Sequence, residues 1–127
     1  FGPPKILDNS DTNVDTRLGA EAMMTCDSFA LPLPNNVNNA IMDKKHLKFV
    51  TQDIVWKFNG IDLVADPKYE IIKAAKTDGV VSSLKIKVVV MNSFGEYSCS
   101  VTNDHGEDAK TVKLNRIGWF VYQVLID

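Results

Sequence analysis

Apolar and polar side chains alternate along one segment of the chain after another. Because successive side chains of a β-strand point to opposite faces of a sheet, this alternation is typical of strands with one buried face. The alternating segments are residues 22–26, 54–58, 84–87, 95–101 and 112–114. Turn-forming residues separate them, and Asn59-Gly60 is the strongest hairpin signal. With no convincing helix between these segments, the sequence predicts an all-β sandwich or barrel.

The two cysteines, Cys26 and Cys99, lie far apart in the sequence. They form neither a CxxC motif nor the dense scaffold of a small knotted protein, so two interpretations remain: a single structural disulfide, or two free buried thiols. A disulfide would close a loop of about 74 residues and would stabilise the fold by roughly 4 kcal/mol on the chain-entropy estimate. It would suit an oxidising compartment.

Six segments stand in the order, and at nearly the spacing, of one known family. They are Gly19-x-x-Ala22-x-Met24-x-Cys26, Ala30-Leu31-Pro32-Leu33-Pro34, Ile54-Val55-Trp56-Lys57-Phe58-Asn59-Gly60, Leu84-x-Ile86-x-x-Val89, Gly95-x-Tyr97-x-Cys99-x-Val101 and Asn103-x-x-Gly106. Over about residues 4–116 the chain therefore resembles an I-set immunoglobulin domain. The segments correspond to strand B, the Gly-x-Pro-x-Pro segment, strand C, strand E, strand F and the F–G turn. The resemblance implies an immunoglobulin-like β-sandwich of two antiparallel sheets with Greek-key connections.

The same resemblance assigns roles to individual core residues. It implies a disulfide between Cys26 and Cys99 that joins the two sheets, with Trp56 packed on it. Tyr97 lies two residues before Cys99 and shares its face of the strand, so both side chains should enter the core. The Tyr97 hydroxyl should bond to the backbone at the corner between strands E and F, and Leu84 of strand E should also be buried.

The chain departs from the family pattern at two places. Ser93 stands where the family usually has Asp, so we expect the family's Asp–Arg ion pair to be absent and Ser93 to make a weaker backbone bond. The distance from Pro34 to Trp56 is also far longer than in the family, which indicates an insertion in the B–C loop at about residues 35–53. We therefore expect residues 1–116 to form one domain that carries this insertion.

The insertion holds too many apolar residues for a solvated loop. Residues 40–48 could form a short helix capped by Asn39, or residues 47–50 could begin strand C early. The apolar groups either pack back on the domain or form a contact surface for a partner. Because B–C and F–G loops emerge at one end of such a sandwich, the F–G turn would share that surface. The candidate partner-binding residues are Ile41, Met42, Lys44, Lys45, Leu47, Phe49, Asp104 and His105.

The tail, residues 117–127, runs past the expected end of strand G and is strongly apolar. Such a segment is expected to pack on something, as an added edge strand, by exchange with a neighbouring molecule, or as the start of a following module. Self-association into a homodimer is the first expectation, and packing within the same chain is the second. The candidate self-association residues are Trp119, Phe120, Tyr122 and Leu125.

Composition and motifs argue against several classes of function. The formal net charge of −2 lacks the basic excess of a nucleic-acid binder. The longest apolar run, 119–126, is interrupted by Gln123 and is far shorter than the roughly 18 residues that span a bilayer. His46 and His105 have no partner at metal-ligand spacing, and no nucleophile elbow, phosphate-binding loop or dinucleotide fingerprint occurs. We expect no catalysis, cofactor, metal ion, nucleic acid or membrane insertion by this segment.

By resemblance, the chain is expected to be a non-catalytic recognition module of a cell-surface or secreted protein, acting in adhesion, as a receptor or in ligand binding. Its partner would be another extracellular protein or a second copy. The alternative is a structural I-set module of an intracellular muscle or cytoskeletal protein. None of the ten asparagines begins an Asn-x-Ser/Thr triplet, which slightly favours that alternative. Phe1 in place of methionine predicts a processed or excised piece.

Overall fold

A computed structural model describes residues 3–29 and 53–117, except for the side chain of Asp53. Within these ranges the chain forms nine strands and one turn of 3-10 helix. The strands are β1 (Lys5–Ile6), β2 (Asn13–Thr16), β3 (Ala22–Phe29), β4 (Asp53–Phe58), β5 (Ile61–Asp62), β6 (Tyr69–Lys76), β7 (Gly79–Ile86), β8 (Gly95–Asn103) and β9 (Gly106–Arg116). The 30–34 segment, the insertion apart from its last residue and the tail beyond Ile117 lie outside the described residues, as does the choice between helix and early strand at residues 40–50.

The strands form two sheets that face each other. One sheet has the order β1-β3-β7-β6 and the other the order β2-β9-β8-β4-β5. The chain crosses from one sheet to the other after β1, β2, β3, β5 and β7, which produces Greek-key connections. The predicted all-β immunoglobulin-like sandwich is therefore confirmed.

One strand pair differs from the prediction of wholly antiparallel sheets, because β2 runs parallel to β9. β1 lies antiparallel to β3 in the first sheet, and the chain then moves to the second sheet without reversing its direction. The connecting residues are held by side chains: the Ser10 hydroxyl accepts a bond from the Asp27 amide at 2.8 Å, and the Asp11 carboxylate accepts one from the Thr25 amide at 2.7 Å. These bonds satisfy backbone N–H groups of β3 at positions beyond the end of its pairing with β1.

The core lies between the sheets and is built around a disulfide bond. Cys26 of β3 is bonded to Cys99 of β8, with the two Cα atoms 6.6 Å apart, so the bridge joins one sheet to the other. Trp56 of β4 pairs directly with Cys99 across the β4–β8 ladder and has no exposed surface. Its indole N–H donates to the Ser82 hydroxyl of β7 at 2.9 Å, a buried bond between the two sheets. Leu84 is fully buried as well.

The side chain of Tyr97 in β8 packs against the turn that precedes this strand. Its hydroxyl donates to the Ser93 carbonyl at 2.6 Å, and its ring stacks on Phe58 with the ring centres 4.2 Å apart. Because a tyrosine hydroxyl has a single hydrogen, the 3.3 Å bond to the Tyr69 hydroxyl is donated by Tyr69. Burial raises the pKa of Tyr97 above its ordinary value, so the hydroxyl stays a donor across the physiological range.

Ser93 makes the backbone bond that was expected in place of an ion pair. Its hydroxyl accepts from the Val90 amide at 3.0 Å, and its own amide donates to the Val90 carbonyl at 2.9 Å. The two bonds close the 3-10 turn Met91–Ser93, and this turn presents the Ser93 carbonyl to Tyr97. A serine is therefore sufficient to fix this corner.

Candidate functional site

The B–C and F–G connections meet at one end of the sandwich, which we call the loop end: Phe29, Asp53 and the turn 103–106 that joins β8 to β9. Asp53, where the chain returns from the insertion, pairs across the β4–β8 ladder with Thr102, next to the turn. Phe29, where the chain departs, ends β3. The chain therefore returns from the insertion at the end of the sandwich that carries the β8–β9 turn. Phe29, the last described residue before the insertion, lies at the same end, because it pairs with Lys5 and Pro3 lies against Gly106 of the turn.

The β8–β9 turn is tight and presents two charged or titratable side chains. Asn103 pairs with Gly106, and the Asn103 side-chain oxygen accepts a bond from the His105 amide at 2.8 Å, which fixes the backbone of the turn. Asp104 and His105 are both exposed at its tip. Of the eight candidate partner-binding residues, these two lie in the described part of the chain, and the other six lie outside it, as do Trp119, Phe120, Tyr122 and Leu125.

The base of the loop end is a close contact between β3 and β7. The buried Ser28 hydroxyl donates to the Val80 carbonyl at 2.7 Å and accepts from the Val80 amide at 3.1 Å. Gly79 permits this contact, because a Cβ atom at that position would lie 1.9 Å from the Ser28 carbonyl oxygen. The point from which the insertion departs is thus held by backbone packed on backbone.

The outer face of the five-stranded sheet adjoins the loop end and carries small side chains, which we call the sheet platform. Its central rows pair across β4, β8 and β9, so their side chains lie side by side. Charged residues lie around the small ones, including Lys57 beside one row and Glu96 paired with Lys113 in the row beyond it. The platform residues are Val55, Ser98, Ser100, Ala109 and Thr111.

The platform has a weak sequence signal, which lies in the alternation itself. The central outward positions of β8 and β9 are Ser98, Ser100, Ala109 and Thr111, and Glu96, Glu107 and Lys113 lie only towards the ends of this face. A face without long side chains lets a partner's surface approach closely and loses little side-chain entropy on contact.

The outer face of the four-stranded sheet is different, since charged groups there are already paired. Lys85 lies 3.2 Å from a Glu21 carboxylate oxygen and 3.9 Å from Glu70, and Lys76 forms an ion pair with Asp27. A partner docking there would have to displace or desolvate these pairs, which makes this face the less suitable interface.

The described residues contain neither a group of metal-ligating side chains nor a long apolar helix. In residues 3–29 and 53–117, no three side chains of His, Cys, Asp or Glu are grouped so that they could hold a metal ion. Nor does that part of the chain contain a helix with the length and hydropathy to cross a bilayer.

Comparison with known proteins identifies the class that this fold and cysteine bridge define. The chain belongs to the immunoglobulin I-set family, whose domain model matches residues 50–115. It is 33% identical over 63 residues to the irregular chiasm C-roughest protein of Drosophila melanogaster, covering 48% of this chain and 8% of that protein. It is 28% identical over 109 residues to the immunoglobulin domain-containing protein oig-1 of Caenorhabditis elegans, covering 86% of this chain and 66% of that one. The chain thus spans less than two thirds of either relative.

Solved structures share the fold at low sequence identity. One chain of the crystal structure of Dpr2 Ig1-Ig2 in complex with DIP-Theta Ig1-Ig3 has a TM-score of 0.71 and 21% identity, covering 91% of this chain and 32% of that one. The N-terminal domains of the Down syndrome cell adhesion molecule have a TM-score of 0.70 and 24% identity, covering 93% of this chain and 15% of that one. A three-domain segment of titin has a TM-score of 0.67 and 19% identity, covering 91% of this chain and 32% of that one. At these identities the likeness shows the fold alone.

Proposed function

We propose that the chain is a non-catalytic protein-recognition module that binds another extracellular protein through the loop end and the adjoining sheet platform. The observation that carries this proposal is the pairing of Asp53 with Thr102, beside the β8–β9 turn. Through it, the insertion returns next to exposed Asp104 and His105, and a partner held by the insertion would also meet the turn.

The chemistry of this surface suits recognition of a folded protein. The insertion supplies apolar side chains and lysines, the turn supplies an acid and an imidazole, and the platform supplies a flat area of small residues. An apolar centre with a polar and charged rim is the usual composition of a specific protein interface. The Dpr2 structure is itself a complex with DIP-Theta, and this chain shares its fold.

The proposed location is the cell surface or the extracellular space. The bridge between Cys26 and Cys99 supports it, because structural disulfides persist in oxidising compartments. The cell adhesion molecule among the structural neighbours agrees with this location. The fold similarity to titin favours the second candidate, a structural I-set module of an intracellular protein, in which the two cysteines would be reduced.

Deleting residues 36–48 is expected to abolish binding to a protein partner while leaving the melting temperature nearly unchanged. The deletion removes every candidate contact residue of the insertion except Phe49, whereas the base of the loop end is held by Ser28, Gly79 and the Asp53–Thr102 pair. Binding is measured against an array of cell-surface and secreted immunoglobulin-domain ectodomains, each displayed as a multimer so that weak contacts are detected.

Two charge reversals complete this experiment. Asp104→Lys should weaken the same interaction. Asp15→Lys should leave it intact, because exposed Asp15 pairs with Asn115 near the end of β9 that lies away from the β8–β9 turn. A large fall in melting temperature on deletion would show that the insertion covers the core instead. Equal binding by the deleted and intact chains would refute the proposed interface.

A further inference from the structure

Exposed apolar side chains gather at the end of the sandwich opposite the loop end. They come from the β2–β3 connection, the β7–β8 connection and the residue after β9, and these three segments are bonded together. The Gly19 amide donates to the Val89 carbonyl at 2.8 Å, and the Val89 amide donates to the Ala20 carbonyl at 2.9 Å. The members, which we call the apolar end patch, are Leu18, Val88, Val90, Met91 and Ile117.

These residues are exposed to an unusual degree for their size. Val88 and Met91 have 60% and 62% of their surface accessible, and the other three members have at least 40%. Single exposed apolar residues are normal on a protein surface, but a contiguous group of this kind marks a place that another surface covers.

The last described residue, Ile117, belongs to this patch. The Ile117 amide donates to the Thr16 carbonyl at 2.8 Å, which continues the β2–β9 pairing by one residue. The guanidinium of the preceding residue, Arg116, lies 3.2 Å from the Met91 sulfur. The residue that begins the tail is thus fixed beside the β7–β8 connection, and Gly118 is covalently attached at the patch.

The ten residues that follow have the composition of a buried segment. Seven of them are apolar or aromatic: Trp119, Phe120, Val121, Tyr122, Val124, Leu125 and Ile126. Both alternating sets of positions include an aromatic residue, so either set can supply large apolar groups. Ten residues can extend about 33 Å, far enough to fold back over the end of a domain to which they are joined.

We infer that residues 118–127 bind to the apolar end patch of their own domain, with Trp119 shielded from water by the contact. A tether of one residue gives the tail a very high effective concentration at the patch, so this contact precedes any contact with a second molecule. The contact removes exposed apolar surface of both the tail and the patch from water. This inference is independent of the loop end and of its partner.

The tryptophans of the chain make a direct test possible. The chain contains two, and Trp56 is fully buried, so quenching of the native fluorescence by neutral acrylamide reports Trp119. For the full chain, we expect a quenching constant several-fold below that of the same chain unfolded in guanidinium chloride. This value should not change on dilution into the nanomolar range.

Val88→Asp should raise the quenching constant towards the unfolded value, because a carboxylate under the tail would have to be desolvated. Leu18→Asp, on a different segment of the patch, should do the same. Val64→Asp is the matched control, since Val64 is 74% exposed and lies outside the patch. Its quenching constant should equal that of the unmodified chain. A Trp119 that is fully quenchable in the unmodified chain would overturn the inference.

Two further results would also overturn it. Shielding that survives both aspartate variants would mean that another part of the molecule covers Trp119. Shielding that disappears on dilution, together with a dimer in sedimentation, would make a second copy the occupant of the patch, as the sequence had suggested.

Discussion

Replacing both cysteines, Cys26→Ala with Cys99→Ala, is expected to lower the free energy of unfolding by about 4 kcal/mol. The bridge spans a sequence separation of 73 residues, so its loss frees a long loop in the unfolded chain. Both sulfurs have no exposed surface, and two alanines would also leave a cavity between the sheets. For a domain of this size, the melting temperature should fall by about 15 °C.

Urea titration followed by far-ultraviolet circular dichroism measures this loss, because the signal reports the strands of both sheets. Ser98→Ala and Ser100→Ala are the controls: both residues flank Cys99 but face outward, and each should change stability by less than about 0.5 kcal/mol. A double variant that fails to fold would mean that the bridge exceeds the remaining stability. A loss below about 1 kcal/mol would contradict the role given to the bridge.

Gly79→Ala is expected to cost about 3 kcal/mol, although the change adds a single methyl group. The new Cβ would lie 1.9 Å from the Ser28 carbonyl oxygen and 2.8 Å from its carbon. Both are backbone atoms of a paired strand, so no side chain can rotate out of the way, and β3 must separate from β7. That movement would break the two bonds between the Ser28 hydroxyl and Val80, leaving buried polar groups unpaired.

Gly19→Ala is the comparison, because Gly19 is limited by its backbone conformation, whereas Gly79 has no positive φ and is limited by the close contact. Gly19 has a φ of 82°, and nothing lies within 4 Å of the position a Cβ would take, so strain alone should cost about 1 kcal/mol. Thermal unfolding of the two variants gives the comparison. If Gly79→Ala is no more destabilising than Gly19→Ala, then the close approach of β3 and β7 at the base of the loop end is not rigid.

The local features of the fold were accessible from the sequence because they depend on short-range chemistry. The Asn59-Gly60 hairpin is an example: both residues have positive φ, at 52° and 82°, as a tight turn between paired strands requires. The alternation around Cys26 and Cys99 predicted which side chains face inward, and the family pattern supplied their pairing. Period and turn chemistry were therefore enough to predict the strands and their buried faces, and the arrangement in two sheets came from the family resemblance.

Contacts between distant segments were less predictable. Gly79 directly follows Asp78 and resembles an ordinary turn residue in the sequence, although it also admits the Ser28 carbonyl from a strand some fifty positions earlier. Ser82 gave no sign that it would accept the Trp56 indole bond, since a serine in an alternating strand reads as a surface residue. The parallel pairing of β2 with β9 depends on where the chain changes sheets, which alternation does not encode.

The candidate site was predicted in outline. The expectation that the B–C and F–G connections share one end agrees with the pairing of Asp53 and Thr102. The sheet platform was not predicted, because its small side chains have no chemistry that distinguishes them from other exposed strand residues. The contact roles of Asp104 and His105 stay predictions, as do those of the insertion and the tail.

The central claim is that this is an extracellular module whose two sheets are joined by a disulfide bond. The redox state of Cys26 and Cys99 in natural material tests it most directly. The chain would be isolated from its source, treated with a thiol-alkylating reagent before and after reduction, and weighed by mass spectrometry. The disulfide predicts no alkylation of the native chain and two added groups after reduction. Two alkylated thiols without reductant would contradict it and would favour an intracellular structural module.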